Sequence, residues 1–140
     1  MVRLLFLGLI VAAGGMIDAR VARAGEDCVA GVRALAPWTT AIRPASTYAR
    51  DWASAARNAG FVVDHQLTNG AVICYLGNYG QLVSELGHVA VIVDATPRWI
   101  GGRWTIRVQD SSPGTAGWVR QIRTVGVPDT SKSWIIHPKR

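Results

Sequence analysis

Three residues in this 140-residue chain have the types and local settings of a nucleophile, a base and an orienting carboxylate: Cys28, His88 and Asp110. Cys28 opens a helix signal, where unpaired backbone N–H groups and the helix dipole favour a thiolate over a thiol. His88 begins the apolar run Gly87-His88-Val89-Ala90-Val91-Ile92-Val93-Asp94, in which four residues are β-branched. A run of that kind belongs inside a sheet, so the imidazole would sit on a rigid support at the point where the strand begins. Asp110 closes a later strand signal that starts at Trp104. If those two strands are antiparallel neighbours, the end of the later one lies beside the start of the earlier one. The Asp110 carboxylate could then accept a hydrogen bond from one imidazole nitrogen and leave the other to face Cys28. The chemistry such a set supports is acyl transfer. Two alternatives stay open: His88 could simply cap a core strand, and Gln109 becomes the orienter if the register slips by one residue.

The elements that must position these residues are legible in outline. Cys28 to Leu35 has a helical spacing, with Cys28, Val32 and Leu35 on one face, Asp27 as the expected N-cap and Pro37 beyond the end. Ser46 is placed to cap a second helix from about Thr47 to Ala59, closed by Gly60, with Ala49, Trp52, Ala53 and Ala56 on its packed face. Arg50, Asp51 and Arg57 read as its solvated side. After Gly60 the periodicity shifts to that of strands, expected at about Ala71–Tyr75, His88–Val93, Trp104–Asp110, Trp118–Thr124 and Trp134–His137. Asn69-Gly70 marks a turn, Leu76 to Gly87 a loop, and Pro97, Gly101-Gly102 and Ser111 to Gly114 mark further connections. Helices first and strands afterwards predict an α+β fold, N-terminal helices packed on a mostly antiparallel sheet of five or six strands. Trp52, Trp104 and Trp134 fall within these elements and are expected to pack. Trp38, Trp99 and Trp118 lie near connections, where an exposed indole could stack on a sugar or a peptide.

The first 24 residues have the pattern of a secretory signal peptide: a short positive start, an apolar stretch from Leu4 to Ile17, and Ala22-Arg23-Ala24 as a cleavage site. That stretch is shorter than the roughly 20 apolar residues of a spanning helix, so no stable membrane span is expected after cleavage. Residues 25–140 form one expected domain and carry 12 basic and 8 acidic residues, formally +4. Positive charge on an exported domain suits an anionic partner such as the cell wall or a membrane surface. Nucleic acid is disfavoured, since no basic run, zinc pattern or aromatic RNA-binding motif is present. His65 and His137 lack metal-ligand spacing, and no cofactor or metal is implied. Cys28 and Cys74 would share an oxidising compartment, where they could pair. Cys74 could equally be a core thiol or one half of a redox switch.

With those residues in view, the sequence resembles the CHAP domains (cysteine, histidine-dependent amidohydrolases/peptidases), a branch of the NlpC-like, papain-like superfamily. The resemblance rests on Cys28-Val29 with Val32-Arg33-Ala34-Leu35, Trp52 to Gly60, Gly70-Ala71-Val72-Ile73, Gly87-His88-Val89-Ala90-Val91-Ile92 and Ile106-Arg107-Val108-Gln109-Asp110. It implies Cys28 as nucleophile, His88 as base and then acid, and Asp110 as the residue orienting His88. It also implies a peptidoglycan amidase or peptidase acting as a monomer, in the periplasm or outside the cell. The backbone N–H of Cys28 is the candidate oxyanion donor. The chain departs from the family in carrying Asp27 before the cysteine and Ser112 where an amide often follows the third residue. A catalytically silent papain-like module, with Cys28 and Cys74 oxidised and the surface binding wall fragments or a protein, is the alternative reading.

Overall fold

The computed structural model describes residues 26–46, 48–77, 86–114 and 117–140, with side chains described for these apart from 26, 27, 112–114 and 117–119. The expected signal peptide therefore lies outside the described residues, as do Thr47 and most of the loop expected before Gly87. Two helices, α1 (Glu26–Leu35) and α2 (Trp52–Asn58), precede a six-stranded sheet. Its strands are β1 (Val63–Asp64), β2 (Val72–Tyr75), β3 (His88–Ile100), β4 (Arg103–Gly114), β5 (Gly117–Gly126) and β6 (Ser133–Ile136). Their spatial order is β1-β6-β2-β3-β4-β5 and every pairing is antiparallel. The α+β class and the antiparallel sheet are those expected from the sequence. No helix among the described residues is long and apolar enough to cross a membrane.

The continuous apolar runs at β2 and at the start of β3 follow from burial on both sheet faces. Val72, Cys74, Val89, Val91 and Ile136 pack with the helices, against Cys28, Val32, Trp52, Ala53 and Ala56. The residues alternating with them, among them Ile73, Ala90, Ile92, Ile106, Val108 and Ile135, form a second apolar cluster. Small residues let α2 approach the sheet beside the fully buried Trp52. The end of α2 is closed as Gly60 suggests: the Phe61 N–H bonds the Ala56 carbonyl and the Gly60 N–H bonds that of Arg57, satisfying two orphan acceptors.

Several local expectations need correction. The first helix begins at Glu26, so Asp27 lies inside its first turn and is not the residue before it. The second helical stretch is not continuous: Ala49–Asp51 form a 3-10 turn and the α-helix starts only at Trp52. Ser46 does not cap that helix. Its hydroxyl accepts from the Tyr48 N–H at 3.1 Å and donates to the Asp51 carboxylate, closing a local turn instead. Asp51 is consequently half-buried, whereas Arg50 and Arg57 are exposed as expected, the latter lying over the Trp134 ring at 4.1 Å.

The largest departure is the length of β3 and β4. They continue past the core as a two-stranded ribbon, joined by Gly101-Gly102 at φ +60° and +80°, the backbone of a type I′ hairpin turn. Pro97 is tolerated in β3 because the register is interrupted between Asp94 and Arg98. Trp104, expected to pack in the core or at a sheet edge, lies 56% exposed on this ribbon, in edge-on contact with Trp99 at 5.5 Å between ring centroids. Trp38, by contrast, is half-buried against Phe61.

Gly87 fixes where β3 begins. It holds φ +77°, and a Cβ placed there would lie 2.6 Å from the Arg50 backbone nitrogen and closer still to the Tyr75 carbonyl oxygen. The same Arg50 N–H donates to the Leu86 carbonyl at 3.0 Å, so the chain before His88 is clamped between β2 and the 3-10 turn. Gly87→Ala should lower unfolding free energy by more than ~3 kcal/mol, because it combines left-handed strain with a clash against backbone that cannot rotate away. Urea denaturation followed by circular dichroism would measure it, and a loss under ~1 kcal/mol would contradict this close packing.

Candidate functional site

His88 is the first residue of β3, cross-strand partner of Tyr75 on β2, and its ring stacks over that tyrosine at 6.1 Å between centroids. On the other side, Val91 pairs with Gln109, which brings Asp110 diagonally within reach of His88. The His88 Nε2–H donates to Asp110 Oδ2 at 2.6 Å, with His88 2% and Asp110 0% exposed. The side chain bonded to His88 is therefore that of Asp110 and not that of Gln109, one residue away and on the opposite side of the pleat. With Nε2 committed to the carboxylate, Nδ1 is the ring nitrogen left to exchange a proton.

Asp110 has a second partner that the sequence reading missed. Arg123 on β5 donates from Nε to both carboxylate oxygens at 3.0 Å and from Nη2 to Oδ2 at 2.5 Å. The signal for it was present: Arg123 lies two residues before the buried Val125, on the inward side of β5, where a guanidinium requires a carboxylate. Burial pushes the Asp110 carboxyl up, but the hydrogen bonds from His88 and Arg123 and their nearby charges outweigh it and hold the group below the usual carboxylate value. Asp110 is thus an anion in the interior, flanked by an imidazole and a guanidinium.

Cys28 occupies the first turn of α1, which lies against β3 and β4. The approach is close because Gly31, one turn on, faces Ser111 of β4: a Cβ on Gly31 would sit 2.8 Å from the Ser111 Cβ. The Cys28 sulfur reaches the backbone of Val89, the residue after His88, and senses the charge of Asp110. Burial pushes its thiol up to about 11; backbone hydrogen bonds at Val89, Val29 and Cys28 itself pull the other way without cancelling that. The side chain is 0% exposed, so in this state Cys28 is a protonated thiol, and only a base can make it a nucleophile.

Cys74 and Cys28 are both free thiols. Cys74 lies opposite Val89 in the ladder, and its S–H donates to the Ala49 carbonyl at 3.2 Å. Desolvation pushes it up to about 12, as suits an inert core thiol. His137 pairs with Asp64 at 2.6 Å and His65 stacks on Trp134, both remote in the sheet from β3 and β4. No group of three or more metal-ligating side chains occurs among the described residues. The side chains of Asp27, Ser112 and Trp118 lie outside the described residues.

No family model and no curated protein matches the chain. Among solved structures, the fold is similar to that of N-acetylmuramoyl-L-alanine amidase from Staphylococcus aureus, with a TM-score of 0.50 and 18% identity. The match covers 66% of this chain and 24% of that one, so the likeness spans about a quarter of the amidase and concerns the fold alone.

Two outcomes test the buried carboxylate. Arg123→Gln should cost roughly 3 kcal/mol in urea unfolding, since it strips a buried anion of its bidentate partner. The second follows from the sign of the Asp110 shift. A carboxyl held below its unfolded value of 3.8 adds stability above that pH and loses it as the pH falls towards the folded value. The stability gap between wild type and Asp110→Asn should therefore be constant above about pH 5 and close below about pH 4. A gap independent of pH would show that the carboxyl titrates alike in the folded and unfolded protein, and one that widens as the pH falls towards 4 would show that it is uncharged when folded; either contradicts the buried anion.

Proposed function

We propose that the protein is an exported cysteine hydrolase of the CHAP, papain-like type that cleaves an amide bond in peptidoglycan. The observation that carries this reading is the 2.6 Å bond from His88 Nε2 to Asp110, formed beside the Val89 backbone that receives the Cys28 sulfur. The likeness in fold to a part of a peptidoglycan amidase supports the same substrate class. The positive charge of the chain suits a wall polymer rich in carboxylates, and the signal-peptide pattern of its first 24 residues supports work in the periplasm or outside the cell.

In the proposed mechanism, Nδ1 of neutral His88 takes the proton from the Cys28 thiol as the sulfur attacks the amide carbonyl carbon. Proton removal has to accompany attack, because a buried thiol held near 11 gives almost no standing thiolate at neutral pH. The imidazolium that results is stabilised by Asp110, and the backbone N–H groups of the first helical turn are the donors available to the oxyanion. The C–N bond then breaks, His88 returns its proton to the leaving amine, and a thioester remains on Cys28. Water, deprotonated by His88, attacks that thioester and releases the acid and the free thiol. Asp110 stays ionised throughout, because Arg123 compensates its charge. Since Cys28, His88 and Asp110 are all buried, a substrate carbonyl reaches the sulfur only when the residues over it part.

Purified peptidoglycan incubated with wild type under reducing conditions should yield new amine or amino-acid ends, and Cys28→Ala should reduce the rate by roughly 10³-fold or more. Mass analysis of the fragments separates cleavage at the N-acetylmuramoyl-L-alanine bond from cleavage within the peptides. Equal release by both proteins, or binding without release by either, would reject the hydrolase in favour of a silent wall-binding module.

A further inference from the structure

The β3–β4 ribbon ends in the sequence Arg98-Trp99-Ile100-Gly101-Gly102-Arg103-Trp104, and this tip is the most apolar exposed feature among the described residues. Trp99 is 61%, Ile100 52% and Trp104 56% exposed, three large apolar side chains within six positions. The edge-on contact between the two indoles helps hold the hairpin, yet leaves more than half of each in water, and Ile100 sits across from Arg103. Arg98, Arg103 and Arg107 surround this apolar end, against one carboxylate, Asp94, which accepts from Arg98 at 3.1 Å and faces Arg107 in the ladder. The tip is therefore apolar at its end and positive around its base.

We propose that this hairpin tip docks on an anionic lipid surface, placing Trp99, Ile100 and Trp104 at the level of the headgroups and acyl boundary while the arginines meet lipid phosphates. Charge complementarity selects the surface, and indoles with arginines are the side chains that settle at such interfaces. A glycan is the less suitable occupant. Residues 98–104 offer no amide or carboxylate to orient sugar hydroxyls, and the indoles meet at 73° and not as a flat platform. An aliphatic Ile100 at the apex adds nothing to sugar stacking but adds to insertion. The tip is about 40 Å along β3 from His88 at the usual rise per strand residue, so docking there leaves the site around Cys28 uncovered. This inference is independent of the proposed hydrolase activity.

The test uses the full chain and vesicles of phosphatidylcholine containing phosphatidylglycerol, with bromine on the acyl chains to quench indoles that reach them. Wild-type emission should be quenched on these vesicles, and Trp99→Phe/Trp104→Phe should remove at least half of that quenching whatever other segment also touches lipid. Arg103→Gln/Arg107→Gln should reduce it on anionic vesicles at low salt, and phosphatidylcholine alone should support little of it. Near-ultraviolet circular dichroism checks the fold, and Ile100→Ser provides a variant that leaves both indoles in place and should weaken quenching. Equal quenching of wild type and the double tryptophan variant would overturn the proposal. So would tip-dependent sedimentation with peptidoglycan, or tip-dependent self-association, in the absence of tip-dependent quenching.

Discussion

A carboxylate with no access to water is the constraint around which the strands with β3 at their centre are arranged. An isolated buried anion costs several kcal/mol, so Asp110 is tolerable only because β3 supplies an imidazole and β5 a guanidinium, each at hydrogen-bond distance. Those two partners fix the registers on either side of β4. A slip of one residue would turn Asp110 to the other side of the pleat, leaving both His88 and Arg123 without their acceptor. The pairing thus specifies the register and directs Nε2 of His88 at the carboxylate.

The sulfur is managed differently. Cys28 reaches the Val89 backbone from α1, whose seating against β4 depends on the absence of a side chain at Gly31. Burial keeps it a thiol, so reactivity has to be generated during attack. A resting thiol in the interior is protected from oxidation and from unspecific acylation. Cys74, just across the ladder from Val89, has the same chemistry but hydrogen-bonds a carbonyl in the 3-10 turn and packs with the core.

Much of this was legible in the sequence, and the failures have physical causes. The apolar run at His88–Val93 announced a strand buried on both faces, and the end of the later strand had to return beside it once the two were antiparallel. Arg123 was overlooked because a lone arginine in a strand reads as a surface residue; only the alternation with Val125 shows that it points inward. The ribbon beyond Asp94 was invisible as a single element because Pro97 and two glycines look like loop punctuation. In the structure a break in register accommodates the first and a hairpin turn uses the others. Trp104 falls within a strand signal and so is expected to pack, but β propensity does not say whether a strand continues past the layer it is packed in. The division of the second helix at Trp52 likewise reflects the local competition of Ser46 and Asp51 for one another.

In the proposed mechanism Cys28 carries the acyl group through a covalent intermediate supported by His88 and Asp110. Its most direct test is an acid-quenched reaction with peptidoglycan fragments, followed by proteolysis and mass spectrometry of the peptide containing Cys28. An acyl fragment attached to Cys28, appearing during turnover and decaying as substrate is exhausted, is the predicted result. Continued hydrolysis with Cys28 never modified, and with the rate unchanged in Cys28→Ser, would contradict it.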